Sequence, residues 1–480
     1  MKRIERKIFN ILLIFVCIVI YAIAGWLTGD KFFFVKFCSF NMLLVIYSYI
    51  SFQRTFVIFA PLNLFCLYYI FIVLVNFYYI YTDFDMTVYI DKHSLRLDYI
   101  QLFNLSSLYY LAGLICIILG YSLLKPPAAK PIKYEDKQTL NPYILNLVAM
   151  GMMALGVLNF FYNVLVLAGG NPLTYLSQIS IRKYQFEDSG TTIGYIFYYM
   201  GTYLLTFSYL RDNKKLDLLF IGAILGGVIL WISNGRISAT LFYLLSFIAL
   251  FYYKNLIGNK QFNNKKYIAF LFTVPLLGIV MYFFRVMSTL KENDLLDKAG
   301  LDVVPEFTNS IGYFLIDKGN LPNIVIFMKI IDAWKLDYGY LYGQSLVSWL
   351  LNILPSSIRP ENYQPSAIIK DLWFADSPGG HLPPTGVAEM YINFGPLGPF
   401  LGMFLLGLLI KVFYNYVVKS RSFWNYLVLV QISFTFIMIY PKGEFDNLNL
   451  IYLFFAYFPF LIVKGLTRML KVNVSRKVHS

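Results

Sequence analysis

Charge is scarce in this chain, and acidic residues are scarcer than basic ones. Only 14% of its 480 residues are charged, with 26 Asp and Glu against 40 Lys and Arg. A soluble domain carries about a quarter charged residues and is about half apolar. Here 58% are apolar and the mean hydropathy is +0.61, which excludes that class. Cysteine and histidine are rarer still, with four and three residues. Cys17, Cys38, Cys66 and Cys116 all fall inside apolar runs, with no metal-ligand spacing and no aqueous position for a disulfide. They read as small apolar filler. The sequence holds no Walker loop, dinucleotide fingerprint, HExxH or nucleophile elbow, so those chemistries have no motif to rest on. It also lacks internal repeats and low-complexity tracts. No cofactor is called for.

What the chain does have is long apolar runs. About 20 apolar residues cross the hydrocarbon core, and the pattern predicts spans at 8–27, 32–52, 55–82, 99–124, 144–168, 194–210, 218–233, 237–253, 267–284, 394–418, 426–440 and 448–466. The expected fold is therefore an all-α integral membrane protein of about twelve transmembrane helices. One large loop interrupts them, giving 1–284 (helices one to nine), 285–393 (the loop) and 394–480 (helices ten to twelve and a tail). Trp26, Trp231 and Trp424 stand at span ends, where interfacial aromatic belts are expected. The first 25 residues mimic a signal peptide, but a spanning run follows at once, so they are read as a retained first helix.

Orientation follows from Lys and Arg. With the N-terminus in the cytoplasm, alternate connections and the tail carry 23 of the 40 basic residues; the short loops opposite hold seven and the long loop eight. This satisfies the positive-inside rule and puts both termini in the cytoplasm and 285–393 outside. It also accounts for the net charge of +14 without nucleic acid, because the charge is spread over membrane-flanking loops rather than along one stripe. Apart from Lys464 at the start of the tail, only Lys36 and Lys411 lie within spans, both near the ends.

The outward face carries the candidate chemistry. Arg236 sits in the tight turn Asn234-Gly235-Arg236, where the positive-inside rule disfavours a cation. Arg285 ends span nine, and Arg182 lies in the 169–193 loop. Such a cluster of planar guanidinium groups suits a phosphate, or else the arginines snorkel to lipid headgroups. In the long loop, Ile324 to Trp334 and Ser345 to Leu354 are apolar but too short to span, and read as interfacial or re-entrant helices with Trp334 and Trp349 at headgroup level. Pro355 to Pro384 reads as a lid-like loop. His381 follows Gly379-Gly380, and Glu389 lies just before the next span. Either can take a proton, His381 near neutral pH and Glu389 with a pKa raised by partial burial. The structural alternatives are substrate positioning for His381 and a helix-capping carboxylate for Glu389. The acidic pair Asp83-x-Asp85 has a metal-like spacing, but Glu292-x-Asp294 shows how easily such pairs arise, and no metal site is assigned.

The stretch His381 to Gly398, preceded by Gly379-Gly380 and followed after the next span by Gly443-Glu444-Phe445, resembles the bacterial Wzy group of O-antigen and capsule repeat-unit polymerases. The layout with one large external loop before span ten, and the arginine in the 234–236 turn, are similar too. The resemblance implies a GT-C-like glycosyltransferase of polysaccharide biosynthesis in the bacterial cytoplasmic (inner) membrane, active on its outer face. The donor would be a growing glycan on undecaprenyl pyrophosphate and the acceptor a lipid-linked repeat unit. A chain-length regulator and a flippase of the same pathway would be partners. Arg182, Arg236 and Arg285 would meet the pyrophosphate, with Tyr391, Asn393, Lys442 and Glu444 as further substrate-binding residues and Glu389 or His381 as base. Lys442 stands where relatives often have arginine, which leaves a phosphate role open there. A lipid-linked oligosaccharide flippase and an O-antigen ligase are the rival readings.

Overall fold

Proline and short polar side chains set where the helices begin. The computed structural model describes residues 2–53, 57–83, 95–125, 141–172, 175, 193–212, 217–233, 237–257, 267, 269, 273, 324–351, 364–374, 382–420, 423–434, 440, 443, 458–459 and 461–469. Every regular element among them is helical. Pro61 opens α3 (Pro61–Thr82) and Pro142 opens α5 (Pro142–Ala168), at the position where a missing N–H costs nothing. Asn141 caps α5 by accepting from the Tyr143 amide at 2.9 Å, and Asp98 caps α4 (Tyr99–Leu123) through the Gln101 amide at 3.3 Å. The chain contains two compact units, 1–126 with 312–415 and 436–447, and 127–311 with 416–435 and 448–480.

In the first unit α2 (Phe33–Phe52), α3, α4 and, beyond its basic first turns, α1 (Lys2–Leu27) are apolar on every side rather than on one face, the mark of a helix in lipid. Exposed Leu12, Leu13, Phe9 and Ile20 on α1 have no protein to cover them, a patch that water would not tolerate. Six described segments are long and apolar enough to cross a membrane: Lys7–Leu27, Phe33–Phe52, Pro61–Thr82, Tyr99–Leu123, Pro142–Ala168 and Gly386–Lys419. The chain is a multi-pass membrane protein. The spans expected at 267–284 and 448–466 lie mostly outside the described residues.

Ion pairs show which helix ends share a side. Lys31, between α1 and α2, meets Asp83 at the end of α3 at 2.8 Å, and Tyr99 at the start of α4 donates to the same carboxylate at 2.9 Å. The acidic residue with metal-like spacing is thus engaged by a lysine; Asp85 lies outside the described residues. At this same end, α9 (Ile324–Asp337) holds the segment before α4. Asp332, its side chain fully buried, accepts from the Arg96 and Leu97 amides at 3.0 and 2.9 Å. Asp337 accepts from Arg96 at 2.7 Å and from the Trp373 indole at 2.9 Å, and these two donors hold its carboxyl below the usual range. Lys7 with the Ser51 carbonyl, and Asn415 with the Lys125 carbonyl, mark the opposite end.

The 386–419 run is not one long span. It folds back on itself as α12 (Gly386–Phe394), a 3-10 turn Gly395–Leu397, and α13 (Gly398–Ser420). Gly395 makes the reversal with φ +65° and ψ −153°, a conformation open in practice only to glycine. Thr385, the residue before α12, is bonded to Tyr110, and ring contacts join Tyr391 to Tyr109. So α12 climbs back towards the Tyr99 end of α4, and α13 then descends beside α4. Their closest approach is a backbone contact: a Cβ on Gly120 would lie 2.1 Å from the Phe404 carbonyl oxygen, and one on Gly407 would lie 2.2 Å from that of Ile117. Gly120→Val and Gly407→Val are therefore expected to force α4 and α13 apart, at a cost of about 1–3 kcal/mol each. A lowered thermal midpoint in detergent would show this; wild-type midpoints for both would refute the close crossing.

The second unit is built on α6 (Ile193–Asp212), whose tyrosines are buried and, Tyr203 apart, hydrogen-bonded. Tyr199 donates to Gln431 at 2.6 Å on α14 (Phe423–Ile432), and Tyr198 to the Ala223 carbonyl at 2.9 Å on α7 (Leu218–Ser233). Tyr243 on α8 (Ile237–Ile257) reaches Thr202 at 3.2 Å. Two tryptophans expected at the headgroups are instead packed inside, Trp231 against Tyr195 and Trp424 against Phe207, each only 4% exposed. Trp26 is exposed as a belt residue would be. Partners for the tyrosine hydroxyls in neighbouring helices turned these faces inward, which hydropathy does not register.

Candidate functional site

Glu389 is a fully buried acid of the first unit. It lies in the first turn of α12, a helix capped by Thr385, whose hydroxyl accepts from the Ala388 amide at 3.3 Å and from Tyr110 at 2.8 Å. Tyr110 is eleven residues into α4, so Thr385 stands about 16 Å below the start of that helix. This is roughly half the thickness of a hydrocarbon core. The tenth span was expected to begin near Asn393 with Glu389 at the membrane surface. The structure encloses the glutamate among helices, because residues 386–394 pack back against α4.

A fully enclosed carboxylate persists only where donors meet it. The Ser345 hydroxyl, on α10 (Gln344–Leu351), donates to Glu389 Oε1 at 2.8 Å. Asn393 donates to Ser345 Oγ at 2.7 Å and to the Glu389 carbonyl at 2.8 Å, and its own Oδ1 accepts from the Gly343 amide at 2.9 Å. All three polar residues are fully buried. The segment entering α10 also satisfies the last carbonyls of α12: the Leu341 amide bonds Ile392 at 3.1 Å and the Tyr342 amide bonds Asn393 at 2.9 Å. Tyr342 takes a left-handed φ of +47° to do so and leaves its ring 79% exposed. Serine, asparagine and glutamate thus form one network fixed by backbone on both sides.

Around it stands an aromatic wall. Tyr391 packs edge-on against Tyr109 at 5.5 Å and Phe327 at 6.0 Å, and Tyr340 stands 6.4 Å away. Tyr440 donates to the Gly386 carbonyl at 3.2 Å, and the Gly443 amide turns back to Tyr440 at 3.1 Å. The residues flanking Lys442 therefore sit at the start of α12.

A family model for the O-antigen polysaccharide polymerase Wzy matches residues 7–473. The chain belongs to that family. No curated protein and no solved structure matches it. Membership makes it an enzyme of polysaccharide biosynthesis that polymerises lipid-linked repeat units in a membrane.

Within this Wzy chain the structure brings together three of the residues singled out from sequence, Glu389, Tyr391 and Asn393. His381, Arg182, Arg236, Arg285, Lys442 and Glu444 lie outside the described residues. Sequence reasoning missed Ser345, Thr385 and Tyr110. Ser345 lies 44 residues before its partner at the start of an apolar run, and no spacing rule joins the two. Thr385 did carry a signal, a threonine just before an apolar helix with a glutamate in its first turn. Residues 355–384, read as one loop, contain α11 (Pro365–Trp373). Trp334 is buried between Tyr338 and Trp373 rather than anchored in headgroups, and the side chain of Trp349 lies outside the described residues.

Proposed function

We propose that this chain extends a glycan by block transfer, from polyprenyl pyrophosphate to a single lipid-linked repeat unit, with Glu389 as the base. The observation that carries the assignment is the enclosed Ser345–Asn393–Glu389 network. An ionisable side chain inside a membrane bundle is expensive, and function is the default reason to keep one. The acceptor hydroxyl attacks the anomeric carbon of the donor sugar. The bond from that carbon to the pyrophosphate oxygen breaks, and the hydroxyl proton passes to Glu389. Ser345 and Asn393 position the carboxylate. Arg182, Arg236 and Arg285 stabilise the departing pyrophosphate, and His381 contacts the sugars. Tyr391, Lys442 and Glu444 are assigned to substrate binding. The reaction uses no nucleotide sugar.

Purified protein incubated with synthetic undecaprenyl-pyrophosphate-linked repeat unit is expected to yield a ladder of lipid-linked oligomers. Transfer to lipid A instead would identify a ligase, and neither product would leave the flippase reading.

The same proposal places the chain in the bacterial cytoplasmic membrane with both termini inside. Lys31, Asp83, Arg96 and α9 then share the outer side, and Lys125 the inner. In a cysteine-free background, Tyr342→Cys should react with an impermeant maleimide in intact cells or spheroplasts. Lys125→Cys should react only after permeabilisation. The opposite pattern would invert the topology.

A further inference from the structure

At the end of the first unit opposite Glu389 lies a cleft of about 1180 Å³ that the polymerisation chemistry does not use. Its walls come from α1, α2, α4 and α13. Most are aliphatic or aromatic, among them Ile11, Phe15, Leu44, Ile118 and Leu119, while Ser48, Gln53, Ser122, Lys125 and Lys411 add polar groups. Among the described residues, no acidic side chain lines it.

Lys411 is the unusual member. It is only 6% exposed, yet among the described residues no carboxylate meets its ammonium. The group lies over two rings instead, 4.4 Å from the centroid of Tyr121 and 5.5 Å from that of Tyr414. Cation–π contact offsets part of the loss of water. A buried ammonium still lacks a counter-charge, and the cleft in front of it has room for one.

We propose that this cleft binds an anionic membrane lipid, its phosphate headgroup held by Lys411, with Lys125 at the rim. Three observations select a lipid over a free phosphate. The walls are mostly apolar and would stay unfilled around a small ion. The volume exceeds the roughly 300–1,000 Å³ typical of sites for small ligands. Leu12, Phe15 and Leu119 on its walls are 57, 42 and 55% exposed, so the cleft reaches the apolar flank of the helices, where acyl chains lie. Basic pockets between membrane helices on the cytoplasmic side are a recurring way to hold phosphate headgroups.

Native mass spectrometry of the purified full chain, offered equal dioleoyl phosphatidylglycerol and phosphatidylcholine in neutral detergent, tests this. Wild type should retain the anionic lipid over the neutral one by about fivefold or more. Lys411→Met should lose that preference and Lys411→Arg should keep it, while lipid-linked ladder synthesis persists in both. Glycerol 3-phosphate should not displace the bound lipid. Should Lys411→Met fail to fold, Leu119→Trp keeps the charge and fills the cleft, and it should release the lipid. Equal retention of the two lipids by wild type, an undiminished preference in Lys411→Met or Leu119→Trp, or displacement by glycerol 3-phosphate would each overturn the proposal.

Discussion

Glu389→Gln is expected to bind lipid-linked repeat unit normally and to fail to extend it, with a rate loss of about 10²–10⁴. The substitution is nearly isosteric, and its amide oxygen can still accept from Ser345, so the network that joins α10 to α12 survives. What disappears is the charge that accepts the proton. Ser345→Ala has the contrary signature. It leaves the carboxylate and the Asn393 amide short of a partner inside the bundle, where a hydrogen bond to a charged group contributes about 1.5–3 kcal/mol. It should therefore lower the thermal midpoint as well as turnover. Measuring both quantities for both variants separates the roles. If Glu389→Gln lost stability but turned over at the wild-type rate, the glutamate would be a structural tie and no base. Should His381→Gln alone stop extension, the base is His381. If both variants work fully, Glu444 is the next residue to test.

How much of this was legible beforehand depends on the range of the interaction. Apolar run length placed α2, α4 and α5 to within two residues, and the ends but not the starts of α1 and α3, because lipid imposes the same requirement on every turn. Glu389, Tyr391 and Asn393 were visible as a cluster because they lie within five residues of one another on a single helix. The reversal at Gly395 was harder to see. An uninterrupted apolar run satisfies the hydropathy of one long span, and only the backbone conformation at Gly395 and the approach of α12 to α4 show that it turns back. Ser345 was out of reach for a related reason. A serine in an apolar run looks the same whether it faces lipid, a backbone carbonyl or a carboxylate 44 residues away. The buried tryptophans failed in the same way, since a span end says nothing of what lies beside it.

Arg236→Ala and Arg285→Ala are expected to slow polymerisation by about 10²–10³ each while leaving expression and membrane insertion unchanged. The expected loss is electrostatic. As the glycosidic bond to pyrophosphate breaks, negative charge gathers on the leaving oxygen, and a fixed donor at that position is worth about 3–4 kcal/mol in the transition state. On the proposed topology Asn234-Gly235-Arg236 falls on the side where the positive-inside rule disfavours cations, so helix insertion does not call for an arginine there. Lysine should restore part of the rate, because it keeps the charge but replaces a planar two-pronged donor with a single point. This partial rescue separates leaving-group stabilisation from headgroup anchoring, where lysine would serve as well as arginine. The readout is single-turnover extension of a synthetic lipid-linked repeat unit, so that slow product release does not mask the chemical step. Wild-type ladders from both alanine variants would remove pyrophosphate stabilisation from the roles of these arginines.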